Sequence, residues 1–235
     1  MYIKNAIAAL IYRVSLVLVA GYGLADGFGI LAGRPDFCQF AYFTDVSNLL
    51  CFLYFLAAIV YGVVCPRRSD GPQIFLPRVK GAVTLSISMT LLVNHFVLGG
   101  TPFLVTDGHF DLANLFAHYL VPLMVILDLI LFDPKGGMRP VDPVLYALIP
   151  FAYLLYTFVR AKVGGPLIDG QNYPYPFLDV SFLGVAAVTR NIAVLSLGFF
   201  TVAYAGYAVN RIIGLRIDSR KQAVTDERER RSLLE

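Results

Sequence analysis

The chain has 235 residues, 57% hydrophobic and 15% charged, with a formal net charge of +3. An ordinary soluble domain carries about 25% charged residues. The mean hydropathy is +0.68, and the apolar residues fall in long blocks, which excludes a disordered chain and a disulfide-built secreted scaffold and argues against a soluble globular enzyme. A helix needs roughly 20 apolar residues to cross the hydrocarbon, so the composition points to an all-α, polytopic membrane protein.

In chain order, the first apolar block runs from Ala6 to Leu31, with Arg13 and Asp26 inside it. No small-residue cleavage site follows it, so it is expected to be a retained span. The second runs from Phe43 to Val64, the third from Val79 to Leu98 and the fourth from Leu112 to Phe132. The fifth runs from Val144 to Val163 and the sixth from Asn191 to Ile213. Phe177 to Val188 is apolar but too short to span, and is expected to be re-entrant or interfacial. Residues 1–213 therefore read as one domain of six transmembrane helices, and 214–235 as a charged cytoplasmic tail. The tail mixes both signs; it reads either as a solvated, membrane-flanking helix or as a partner-binding one.

Basic residues set the expected orientation. The segment from Pro66 to Lys80 holds Arg67, Arg68, Arg78 and Lys80, the fourth-to-fifth connection holds Lys135 and Arg139, and the tail holds Arg216, Arg220, Lys221, Arg228, Arg230 and Arg231. The alternate connections are poor in Lys and Arg. Cytoplasmic loops carry the Lys/Arg excess, so both termini are expected to be cytoplasmic.

Cys38, Cys51 and Cys65 form no CxxC pair. Cys51 and Cys65 lie about 21 Å apart along one helix axis, too far for a disulfide, so the cysteines read as helix filler. No GxSxG, HExxH, Walker or Cys/His metal motif is present, and no metal or organic cofactor is expected. No basic and aromatic surface points to nucleic acid. Gly21, Gly23 and Gly27 brush against a dinucleotide fingerprint but follow no strand; small residues at that spacing let helices approach closely. No internal repeat supports an inverted-repeat transporter.

Polar residues inside apolar spans are costly and mark function by default. Thr44, Ser47, Asn48 and Cys51 share one helical face of the second span. Ser86, Thr90 and Asn94 share a face of the third, followed by His95. Asp111, Asn114 and His118 share a face of the fourth. In the expected topology Thr44, Asn94, His95, Asn114 and His118 all sit in the outer half of the membrane. A hydroxyl, carboxamides and imidazoles at one depth are the makings of a small hydrolytic site. A threonine hydroxyl needs a base to become a nucleophile, histidine is the usual base, and amides or helix-start N–H groups can hold an oxyanion.

Plainer readings stand beside these. Thr followed by Asp at a helix start is an ordinary N-cap pattern. Asn48, Asn94 and Asn114 read equally as interhelical glue. His95 reads as a packed hydrogen-bonder and His109 as a loop residue. Pro122 should free a backbone carbonyl one turn after His118. Arg13 and Asp128 are expected to form a buried structural pair.

Three windows carry a resemblance. Phe43-Thr44-Asp45-Val46 resembles the nucleophile segment of the androgen-induced and androgen-dependent TFPI-regulating protein family. His118 through Asp128, an apolar run with a proline ending in a carboxylate, resembles that family's histidine helix. Tyr175-Pro176-Phe177-Leu178-Asp179 resembles its late Tyr-Pro-Phe-Leu-acid segment. The Ser47-Asn48-Leu49-Leu50 continuation looks more like the bacterial branch, which implies a multi-pass protein of the bacterial cytoplasmic (inner) membrane.

The resemblance implies an intramembrane threonine hydrolase of lipid carboxylic esters, such as fatty acid esters of hydroxy fatty acids. Carried over, Thr44 looks like the nucleophile and His118 like the base. Asn48, Asn94 or Asn114 would hold the oxyanion, Asp179 would orient His118 as a third triad member, and Ser47, His95 and Tyr175 would line the substrate pocket. The expected partner is a membrane lipid. The alternatives are a lipid acyltransferase using the same Thr/His pair, a transporter, and a non-catalytic partner protein.

Overall fold

The computed structural model describes residues 2–65, 74–99, 105–106, 109–167 and 170–232. Apart from a two-residue antiparallel pairing of Val105–Thr106 with His109–Phe110, it is helical. Helix α1 spans Ala6–Gly27, α2 Phe43–Val64 and α3 Pro77–Phe96. Helix α4, Leu112–Leu115, runs through a π turn, Phe116–Leu120, into α5, Val121–Phe132. Helices α6, Asp142–Tyr146, and α7, Leu148–Val163, follow with only Ala147 between them. A 3-10 turn at Pro176–Leu178 leads into α8, Val180–Ser232.

Among the described residues, five segments are long and apolar enough to cross a membrane: Ala6–Gly27, Phe43–Val64, Leu112–Phe132, Asp142–Val163 and the long final helix. Large apolar side chains such as Ile7, Leu18, Val63, Leu155 and Leu197 are exposed on the outside, while Arg13, Lys80, Asn48, Asn94 and Asp128 are buried inside. That inversion of the soluble pattern belongs to a multi-pass integral membrane protein.

The expected third span is a helix, but its composition sets it apart from the other five. Helix α3 has 20 residues and packs on α2, α5, α6, α7 and α8. Its polar side chains Lys80, Thr84, Ser86, Thr90 and Asn94 are all buried. Its polar face packs inside the bundle, and those same side chains are what lower the hydropathy of the segment.

Arg13 and Asp128 form the expected pair, Nε to Oδ1 at 3.0 Å. The cluster is larger than a pair. Lys80 Nζ bridges Asp128 and Asp133, and Arg13 reaches Asp133 at 3.9 Å. Lys80 is thus not a loop cation, as its neighbours in sequence imply; it sits in the first turn of α3, where a lysine stem threads among apolar residues to reach two carboxylates. Arg78 pairs with Asp142 at 3.1 Å. Arg67 and Arg68 lie outside the described residues.

Two glycines set geometry. A Cβ on Gly23 would lie 3.1 Å from Phe116 Cβ, so α1 approaches the π turn closely. Gly184 takes φ 77° and ψ 161°, a conformation essentially confined to glycine. It redirects the chain inside α8, and Phe177 to Val188 covers the 3-10 turn and the opening of that helix.

Candidate active site

Thr44 is the second residue of α2. The N-cap position belongs to Tyr42, which makes no side-chain cap bond. The Thr44 hydroxyl therefore does not cap the helix; Oγ1 lies 3.3 Å from His118 Nε2. Catalytic hydrogen bonds are often this long before substrate binds.

The imidazole is oriented from its other side. His118 Nδ1 lies 3.2 Å from the Asn114 carbonyl. A carbonyl only accepts, so Nδ1 carries the proton and Nε2 presents its lone pair to the Thr44 hydroxyl. Asn114 is fixed in turn, its backbone N–H and side-chain amide donating to Asp111 at 2.9 and 2.8 Å. Asn114 thus orients the imidazole through its backbone.

The π turn and Pro122 explain how two helices lock together here. In a π register the residue at 122 would donate to the carbonyl of Ala117, but proline has no N–H. The Asn48 amide supplies the missing donor at 3.0 Å, and its second hydrogen goes to the Thr44 carbonyl at 2.8 Å. Both hydrogens are spent, so Asn48 holds the site together and does not serve an oxyanion. Ser47 donates to the Thr44 carbonyl at 3.0 Å and pairs with Thr90 at 2.7 Å.

Asp179 sits at the start of α8. Its carboxylate accepts from the Ser181 and Phe182 N–H groups at 2.8 and 3.1 Å, capping α8. A carboxylate at a helix start satisfies donors that have no partner within the helix. The acceptor it was expected to provide at Nδ1 is supplied by Asn114.

Thr44 also lines an apolar groove that holds roughly 830 Å3 of space, part of it open to the surroundings. Its walls come from α2, α3, α7, α8 and the 3-10 turn, and include Asn94, Tyr153, Tyr175, Leu195 and Phe199. His118 is not among them, so Thr44 is the residue that both the groove and the imidazole share. Of the expected pocket residues, Tyr175 lines the groove. Ser47 is fully buried against Thr90, and His95 is exposed, facing the Tyr119 hydroxyl at 3.3 Å. Asn94 bonds the same tyrosine at 3.4 Å from inside. The His109 side chain lies outside the described residues.

Tyr153 was not legible beforehand. It is buried, donates to the Ala41 carbonyl at 2.6 Å and packs on Phe43 with ring centroids 4.9 Å apart. It fastens α7 to the start of α2. In sequence it is one tyrosine among 14, on a span with no polar pattern to single it out. Among the described residues no group of three His, Cys, Asp or Glu side chains is arranged to hold a metal. No family model matches the chain, and no curated protein or solved structure matches it.

Proposed function

We propose that this chain is an intramembrane threonine hydrolase of lipid carboxylic esters, akin to the androgen-induced and androgen-dependent TFPI-regulating proteins. The observation that carries the reading is Thr44: its hydroxyl faces His118 Nε2 at 3.3 Å while its side chain lines an apolar groove. Thr44 Oγ1 attacks the ester carbonyl carbon, and its proton passes to His118 Nε2. The tetrahedral intermediate collapses, and the protonated imidazole gives that proton to the departing alkoxide. Water then attacks the acyl-threonine with His118 again as base, releasing the acid and restoring Thr44.

The groove suits a lipid acyl chain because its walls are almost entirely apolar, and burial of a methylene is worth about 0.8 kcal/mol. Those walls count against a polar transport path. Helix α3 serves as a sixth span in this reading: 20 residues reach about 30 Å, and its polar face is covered by neighbouring helices. Six spans leave both termini on the cytoplasmic side, with the basic tail of α8 there.

Labelling with a long-chain alkyl fluorophosphonate, followed by peptide mapping, tests the reading. The adduct is expected on Thr44 and is lost in Thr44→Ala. Full labelling of that variant would place the nucleophile elsewhere. Product analysis with and without an added lipid alcohol separates hydrolysis from acyl transfer.

A further inference from the structure

We propose that the Tyr175 hydroxyl is the oxyanion donor of this site, delivered by the connection between α7 and α8. The inference rests on the Thr44 reading above.

Tyr175 lies outside the spans yet is buried. Its ring stacks on Phe177 at 5.1 Å and meets Tyr42 edge-on at 6.0 Å. These contacts fix the phenol against the start of α2. The Phe43 N–H donates to the Tyr175 oxygen at 2.9 Å, and the Thr44 backbone and side chain lie beside the same oxygen. An oxygen that accepts from the helix start keeps its own hydrogen for another acceptor, and Thr44 Oγ1 and the groove that both residues line are at hand. Accepting an N–H also polarises the phenol and strengthens it as a donor. Burial pushes the Tyr175 phenol up to about 12, so it keeps its proton at neutral pH.

The three amides each already hold a partner. Asn48 spends both hydrogens on carbonyls, Asn114 donates to Asp111, and Asn94 donates to Tyr119. When Thr44 Oγ1 bonds to the acyl carbon, the carbonyl electron pair moves onto oxygen. That oxygen is two bonds from Oγ1, so the Tyr175 hydrogen passes from one to the other by rotation about its C–O bond. The helix-start N–H stays on the phenol oxygen and backs the donated hydrogen bond.

The test uses Tyr175→Phe in the full chain, assayed in vesicles with a long-chain ester. Loss of one oxyanion donor costs about 10²- to 10³-fold in kcat, with KM within about threefold. A long-chain trifluoromethyl ketone, which binds as a tetrahedral adduct, should lose affinity by the same factor, whereas an unreactive ether of equal length should bind as before. A merely structural tyrosine would weaken both ligands together, and that result overturns the inference. Tyr175→Phe with unchanged kcat also overturns it; with Thr44→Ala and His118→Ala both dead, the hydrolase reading survives that loss. Full turnover by Thr44→Ala removes the reading and the inference together. Should Tyr175→Phe not fold, 3,5-difluorotyrosine at 175 keeps the ring and the hydroxyl. Assayed below the pKa of the fluorinated phenol, it should change kcat at constant KM, and an unchanged kcat counts against the donor role.

Discussion

Asn48 on α2 donates a hydrogen bond to the Ala117 carbonyl on the π turn at 3.0 Å, filling the place of the N–H that Pro122 lacks. Its other hydrogen holds the Thr44 carbonyl. One buried amide therefore ties the helix that carries Thr44 to the helix that carries His118. Asn48→Leu should leave the Ala117 carbonyl buried without this partner, at a cost of about 1–3 kcal/mol. A displacement near 1 Å at the site costs on the order of 10²-fold in rate. Turnover normalised to folded protein should fall steeply while the melting temperature falls only modestly. Wild-type turnover in a folded Asn48→Leu protein would show that the staple does not position Thr44.

His118 and His95 are both imidazoles on polar helix faces, but only His118 faces Thr44. His118→Ala should lose on the order of 10²-fold or more in ester hydrolysis. His95→Ala, whose ring is exposed beside Tyr119, should keep its turnover once normalised to folded protein. Because a protonated imidazole cannot accept the Thr44 proton, wild-type activity should fall as pH drops through the titration of His118. Reversal of the two phenotypes would reassign the base, and full activity in both would remove the Thr–His mechanism.

The pairing of Thr44 with His118 was readable because polar residues at helical spacing stand out in apolar spans, and each such residue is too costly to be idle. The Arg13–Asp128 pair was readable for the same reason. Lys80 was not, because a lysine at the edge of an apolar block has the same local pattern as a loop cation; only the packing of α3 against α5 shows that it is buried. Nothing local separates a capping carboxylate such as Asp179 from an orienting one when the path of the connection is not fixed by sequence. The groove was invisible for a different reason. Leu195 and Phe199 look like any lipid-facing residues, and what distinguishes them is that α7 and α8 leave space between them.

The buried cluster makes a second kind of prediction. Lys80 is the shared partner of Asp128 and Asp133. Lys80→Met leaves two carboxylates facing one guanidinium, and breaking a buried pair this way costs about 3–5 kcal/mol. Lys80→Met/Asp133→Asn removes one charge of each sign and should recover most of that loss. Thermal unfolding in detergent reads both. Additive damage in the double variant would show that the two side chains are not coupled.

Leu195 lines the groove from α8, on the wall that α3 and α7 face. Enlarging it to tryptophan fills space that an acyl chain would otherwise occupy, without touching Thr44, His118 or Tyr175. The expected result is selective. For a long-chain ester, displacement of two or three methylenes from the groove costs about 2 kcal/mol, so kcat/KM should fall roughly 10- to 50-fold. A short-chain ester that ends before Leu195 should be hydrolysed at close to the wild-type rate, because the Thr44–His118 geometry is unchanged. Fluorophosphonates should follow the same division, with a short alkyl probe labelling normally and a long one slowly. Equal losses on long and short esters would mean that the bulk disturbs the bundle rather than the chain. Unchanged hydrolysis of long esters would mean that the acyl chain does not lie in this groove, and the substrate must then reach Thr44 from the side of α1 and the π turn.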